Sequence, residues 1–206
     1  FTYQTLGGYD TTAVRQNGDV NALRAELGLY GKVTDGHWRT KAYFYNSERG
    51  YPGSIVRSKF THEDRQWDSN FFLQSSFQKA FGDVYSLMLK GKYAYDYLHY
   101  LADPNRDASL MYVNNVYRQQ EVYLSNANRF QLFDFWDANL SVDVQWNGLD
   151  ANLYNFVHPN RYTAMGALAT AFYFDQFKCQ ASLLATYVYD KINTDTLSAA
   201  NQFHLA

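Results

Sequence analysis

The stretch Trp136-Asp137-Ala138-Asn139-Leu140-Ser141-Val142-Asp143-Val144-Gln145-Trp146-Asn147 reads with a period of two. Its even positions are Trp, Ala, Leu, Val, Val and Trp, and its odd positions are Asp, Asn, Ser, Asp, Gln and Asn. Side chains alternate across a strand and recur every 3.6 residues or so on a helix, so this order predicts a strand with one apolar and one polar side. The same rhythm runs through three more stretches. Leu23, Ala25, Leu27, Leu29 and Val33 alternate with Arg24, Glu26, Tyr30 and Lys32. Tyr85, Leu87, Leu89, Tyr93, Tyr95 and Tyr97 alternate with Ser86, Lys90, Lys92 and Asp96. Phe177, Cys179, Ala181, Leu183, Ala185, Tyr187 and Tyr189 alternate with Lys178, Gln180 and Ser182. Each run exceeds the usual strand length of about five or six residues.

Connections between the runs alternate in length. Thr34-Asp35-Gly36, Gly82-Asp83, Asp134-Phe135 and Asp175-Gln176 are short, and the first two have hairpin-turn chemistry. Between them lie long polar stretches at 47–64, 98–116, 148–160 and 191 onward, which hold all three prolines, Pro52, Pro104 and Pro159. Proline cannot donate to a ladder, so its confinement there supports the strand assignment. The pattern predicts an all-β fold: an antiparallel up-and-down sheet with strands near 23–33, 37–46, 65–81, 84–97, 117–133, 136–147, 160–173 and 177–190. Segments 1–9 and 197–205 are expected to add one each, for about eight to ten strands in one domain over 1–206.

Composition narrows the class. Apolar residues at 47% are enough for stable structure, and a single Cys excludes a disulfide framework or a multi-Cys metal site. A net charge of −2 without a basic block argues against nucleic acid as partner. Mean hydropathy is low at −0.46, and no stretch approaches the roughly 18 apolar residues of a spanning helix. Barrels cross membranes by alternation instead, with a weak signal per segment. Aromatics reach 18% and gather at run ends: Tyr93, Tyr95 and Tyr97 close one run, and Trp136 and Trp146 bracket another. Amphipathic rings favour the membrane–water boundary. Run lengths, one-sided long loops and the polar alternate face together predict a transmembrane β-barrel segment. The alternatives are a soluble all-β domain that binds a ligand or partner and a small complete outer-membrane barrel or adhesin.

Phe130 to Asn147, with Phe156-Val157-His158-Pro159-Asn160-Arg161 and Gln180 to Thr186, resembles the barrel of TonB-dependent outer-membrane receptors. Leu23 to Val33, followed by Trp38 to Tyr45, is similar to an earlier hairpin of that family. The resemblance covers nearly the whole chain and rests on texture more than on an invariant motif. It implies the outer membrane of a Gram-negative cell, surrounding lipid, and energised uptake of a scarce nutrient (a chelate, cofactor, carbohydrate or peptide). It also implies a plug domain inside the barrel and a TonB-type energising partner. No plug, coupling box or terminal aromatic is recognisable, and about eight to ten strands fill only part of a ring of about twenty-two. The chain is therefore expected to be an internal barrel segment.

No residues call for an enzyme. His37, His62, His99, His158 and His204 lack metal-ligand spacing. Asp103-Pro104-Asn105-Arg106-Asp107 begins like a calcium loop and then fails, with Ala108 at the glycine position and Asn114 at the closing glutamate. Cys179 sits among apolar-face residues and is read as a small hydrophobe. Asn139-Leu140-Ser141 matches a glycosylation acceptor only inside a strand. Neither a metal nor a cofactor is expected. Ligand candidates lie in and beside the long stretches: Arg49, Tyr51 and Arg57 in one, Tyr97, Tyr100 and Arg106 in the next. Aromatic–arginine mixtures suit carbohydrate, chelate or peptide.

Overall fold

The computed structural model describes residues 2–4, 7–12, 14, 16–52, 64–102, 112–192 and 200–205, with backbone alone for 3, 11 and 200–205. Two short strands, β1 (Thr2–Gln4) and β2 (Asp10–Thr12), pair with each other. The remaining strands are β3 (Val20–Val33), β4 (Gly36–Tyr51), β5 (Asp64–Phe81), β6 (Tyr85–Ala102), β7 (Val113–Phe133), β8 (Trp136–Ala151), β9 (Asn160–Tyr173), β10 (Lys178–Lys191) and β11 (Ala200–Leu205). These nine form one sheet in sequence order, each antiparallel to the next. The fold is an all-β, up-and-down sheet that is open: among the described residues neither β3 nor β11 has an outer neighbour.

The expected strands are all present, and most are longer than the sequence suggests. β4 runs on to Tyr51, β6 to Ala102 and β8 to Ala151, while β5 begins at Asp64 and β7 at Val113. Alternation fades in these extensions because polar and apolar side chains mix on both faces, as in Leu98-His99-Tyr100-Leu101-Ala102, whereas the backbone ladder does not depend on side-chain polarity. The segment near 1–9 does not join the main sheet; its strand pairs locally with β2. The segment near 197–205 does join it, pairing Ala185–Asp190 with Ala200–Leu205.

Tight turns follow the short connections. Asp35 takes the left-handed conformation (φ 58°), and Gly36 opens β4 instead of supplying that geometry. Gly36 is needed for space: a Cβ there would run into the Gln78 carbonyl. Gly82 does take positive φ (68°) in the turn after β5. A two-residue turn at Asp175-Gln176 is closed by Phe174 and Phe177, which donate N–H groups to each other's carbonyls at 2.8 and 3.2 Å.

Register sorts the side chains into two faces. Opposed residues share a face in an antiparallel pair, so the row Leu29–Thr40–Ser75–Gly91–Leu124–Val144–Ala164–Tyr187 lies on one side of the sheet. The neighbouring row Tyr30–Arg39–Ser76–Lys90–Ser125–Asp143–Met165–Thr186 lies on the other. The first face is apolar and open, with Leu23 62%, Leu124 54%, Val142 49% and Leu183 49% exposed. Among the described residues the buried side chains are Ser47, Ala94, Ala151 and Ala171, all small and all on the polar face. Most of the exposed large apolar side chains lie on the first face.

Replacing Gly36 by Val is expected to destabilise the β3–β4 hairpin by about 1–3 kcal/mol, since the added atoms meet backbone and not a yielding side chain. Chemical unfolding of the variant beside the parent chain measures it.

Candidate functional site

The apolar face carries two rows of rings at a fixed spacing. Phe71 and Phe81 on β5, Tyr85 and Tyr95 on β6, Trp136 and Trp146 on β8, and Tyr162 and Phe172 on β9 are each ten residues apart. Phe177 and Tyr187 repeat the interval at β10. Ten steps of about 3.3 Å make about 33 Å of strand, or roughly 25 Å of height at a tilt near 40°. At the tight-turn end the rings stack in sequence: Phe81 on Tyr85 (5.3 Å), Tyr85 on Phe130 (5.0 Å), Phe133 on Trp136 (6.1 Å) and Trp136 on Phe172 (5.4 Å). At the other end Tyr162 and Tyr189 meet at 6.0 Å and Phe71 and Tyr93 at 6.4 Å.

Between the rows, polar side chains on this face satisfy one another. The Thr40 and Ser75 hydroxyls share a hydrogen bond of 2.9 Å. Asn128 donates to Asn126 and accepts from the Tyr85 hydroxyl at 2.7 Å. Trp136 Nε1 donates to Thr170 Oγ1 at 2.7 Å. Such pairing removes the cost of placing these groups beside hydrocarbon.

The polar face differs along its length. At the far end from the tight turns, Asp68 accepts from Arg49 Nη2 (3.0 Å), from Gln66 Nε2 (2.8 and 3.0 Å) and from the Ser47 hydroxyl (3.4 Å). Tyr51 donates to Gln66 Oε1 at 2.6 Å, and Tyr100 donates to Asp64 Oδ2 at 2.9 Å. The Tyr51 and Tyr100 rings meet edge to face at 6.0 Å. Burial, followed by the Asp64 hydrogen bond and charge, raises the Tyr100 phenol above its ordinary value.

Three of the sequence candidates, Arg49, Tyr51 and Tyr100, are thus brought together, on strand extensions and not on loops. Tyr97 is not with them: it lies on the apolar face beyond the upper ring row, with the Arg118 guanidinium 6.0 Å over its ring. Alternation separates Tyr97 from Tyr100, three positions on. Arg57, Arg106 and the calcium-like stretch 103–107 fall outside the described residues. Asn114 donates to the Tyr112 hydroxyl (3.1 Å) and hydrogen-bonds His99 Nε2 through Oδ1 (2.8 Å). Cys179 is exposed on the apolar face, in register with Phe172. Among the described residues no group of three or more His, Cys, Asp or Glu side chains could hold a metal ion. Among the described residues no helix is long and apolar enough to cross a membrane, which leaves strands as a crossing element untouched.

The cluster holds rings, a saturated carboxylate and a fixed guanidinium, an arrangement suited to stacking and hydrogen bonding with a ligand. No protein-family model matches the chain, and no curated protein matches it either.

Replacing Asp68 by Ala leaves Arg49, Gln66 and Ser47 without their acceptor and is expected to cost about 1–3 kcal/mol in denaturant unfolding. Tyr100 gives a pH test. A raised folded-state pKa means that the folded chain holds this proton more tightly than the unfolded one. The stabilisation is full below the ordinary tyrosine value of 10.0 and is lost as pH rises past it. In Tyr100→Phe, absorbance titration at alkaline pH should lose its last phenolate step, and stability should fall less steeply above that pH.

Proposed function

We propose that this chain is a section of the wall of a transmembrane β-barrel in a Gram-negative outer membrane. The barrel is that of a TonB-dependent receptor, which takes up a scarce nutrient by energised transport. The membrane part of the reading is carried by one observation, the two ring rows ten residues apart that bound an exposed apolar band. A band about 25 Å tall between aromatic girdles is what a bilayer core asks of a barrel's outer surface. A patch of Leu and Val this large on a soluble monomer would need a cover, and among the described residues nothing covers it. The opposite face bears Lys, Arg, Gln, Asn and Asp, as a hydrated lumen requires.

The receptor part of the reading is supported by the resemblance in Phe130–Asn147 and its companion stretches. On that reading the tight turns face the periplasm and the strand extensions face outward. Arg49, Tyr51 and Tyr100 then stand on the lumenal wall near its outer mouth, where an incoming chelate, carbohydrate or peptide meets it first. A plug domain and the energising partner complete the machine.

A matched pair of variants tests the membrane reading. Val142→Arg puts a charge in the middle of the apolar band, and Ser141→Arg puts the same charge on the polar face one residue away. In chain reconstituted into lipid vesicles, Val142→Arg should cost about 2–4 kcal/mol in urea unfolding and Ser141→Arg far less. Equal, small effects would overturn the proposal, as would a monodisperse, cooperatively melting chain in buffer without detergent.

A further inference from the structure

The polar face carries a second feature below the Arg49–Tyr100 cluster. A hollow of about 560 Å³ spans β3 to β7 on that face. Arg39 and Lys41 on β4 and Lys90 and Lys92 on β6 stand on either side of Gln74 and Ser76 on β5. Register makes this a regular figure. Arg39, Ser76 and Lys90 share one row, and Lys41, Gln74 and Lys92 share the next row on that face. Two strand spacings of about 4.8 Å and two residue steps of about 3.3 Å root the four cationic side chains at the corners of a rectangle of roughly 10 by 7 Å. A hydroxyl and an amide occupy its middle.

Two corners are neutralised. Lys41 pairs with Glu26, and Lys92 pairs with Glu121 at 2.9 Å. The other two are not. Arg39 spends only its Nε–H, on Ser76 Oγ at 3.1 Å, and Lys90 has no side-chain partner among the described residues. Asp143, in the same row as Lys90, is two strands away. The hollow therefore holds an excess of two positive charges, with free guanidinium N–H groups, an ammonium group, an amide and a hydroxyl facing one space. Tyr30 and Tyr123 line its sides.

We infer that this hollow is an anion cradle, which binds a small solute carrying two or more carboxylate or phosphate groups. Two anionic groups at the spacing of Arg39 and Lys90 engage both uncompensated cations at once, while Gln74 and Ser76 donate to the oxygens between them. A planar guanidinium takes one group in bidentate fashion, and the ammonium takes the other as a point charge. Cationic side chains rooted about 10 Å apart give a short polyanion two charged partners, one at each end, where a monovalent ion satisfies fewer of their donors. The inference goes beyond the barrel reading and shares with it only the hydration of the polar face.

The test uses the whole chain, folded in detergent micelles or, if it yields the strand spectrum there, in plain buffer. Pyrophosphate is titrated in by calorimetry. The cradle predicts saturable binding that falls by about tenfold or more in the Arg39→Gln/Lys90→Gln double variant and weakens as salt is added. Lys178→Gln, on the same face of β10 and remote from the hollow, should bind within about twofold of the parent. Arg39→Lys/Lys90→Arg should restore most of the affinity. Lys90→Gln alone, a change at an unpartnered side chain, keeps the test open if the double variant misfolds. Absence of binding by the folded parent, or equal binding by the double variant, overturns the inference. Tighter binding of hexaglutamate that displaces pyrophosphate also overturns it, and assigns the hollow to an acidic polypeptide. Folding only without detergent counts against the membrane reading and leaves the titration intact.

Discussion

The antiparallel backbone ladder is the constraint on which everything else rests. Each strand from β3 to β11 pairs with its sequence neighbour, so the backbone groups between strands are satisfied within the sheet. The ladder also fixes side-chain direction. Once Leu29 faces one way, Thr40, Ser75, Leu124, Val144 and Tyr187 must face the same way, across seven pairings without a slip. A one-residue slip anywhere would send Leu and Val to the side of Lys and Asp. The one irregularity, between Gln131 and Phe133, falls at the tight-turn end, where both neighbouring rings still stack.

A sheet of this kind has little interior. Among the described residues the side chains it buries are Ser47 and three alanines, far too little apolar volume to hold the strands together in water. Its stability has to come from the ladder, from cross-strand pairs such as Tyr43 on Phe72 (4.9 Å) and Trp67 on His99 (4.8 Å), and from what surrounds it. An apolar environment on the Leu/Val side strengthens the ladder, because backbone groups lose water as an alternative partner. The proposed setting and the odd burial pattern are thus two sides of one physical requirement.

Strand count adds a topological demand. Nine alternating strands leave β3 and β11 running in the same direction, so the two edges cannot pair antiparallel with each other. A ring that is antiparallel throughout needs an odd number of further strands between them. Until they are paired, the edges present unspent N–H and C=O groups, and β3, exposed along nearly its whole length, is long enough to recruit a neighbour.

The strands, their order of polarity and most of the turns are legible in the letters. A period of two in Trp136–Asn147 has no helical reading, and Pro52 and Pro159 stand just outside the ends of β4 and β9. The ten-residue interval between Phe71 and Phe81, or between Tyr162 and Phe172, is equally present in the letters, and pairing is what turns it into two continuous rows. The strand extensions are not legible in the letters because polar and apolar residues mix on both of their faces, which erases alternation while hydrogen bonding continues. Which side chains meet emerges with the pairing of the strands. It joined Arg49 and Tyr51 to Tyr100, put Tyr97 on the opposite face, and set Arg39 and Lys90 across a strand from each other. Those contacts depend on register between residues dozens of positions apart, and register is a property of paired strands, not of any one of them.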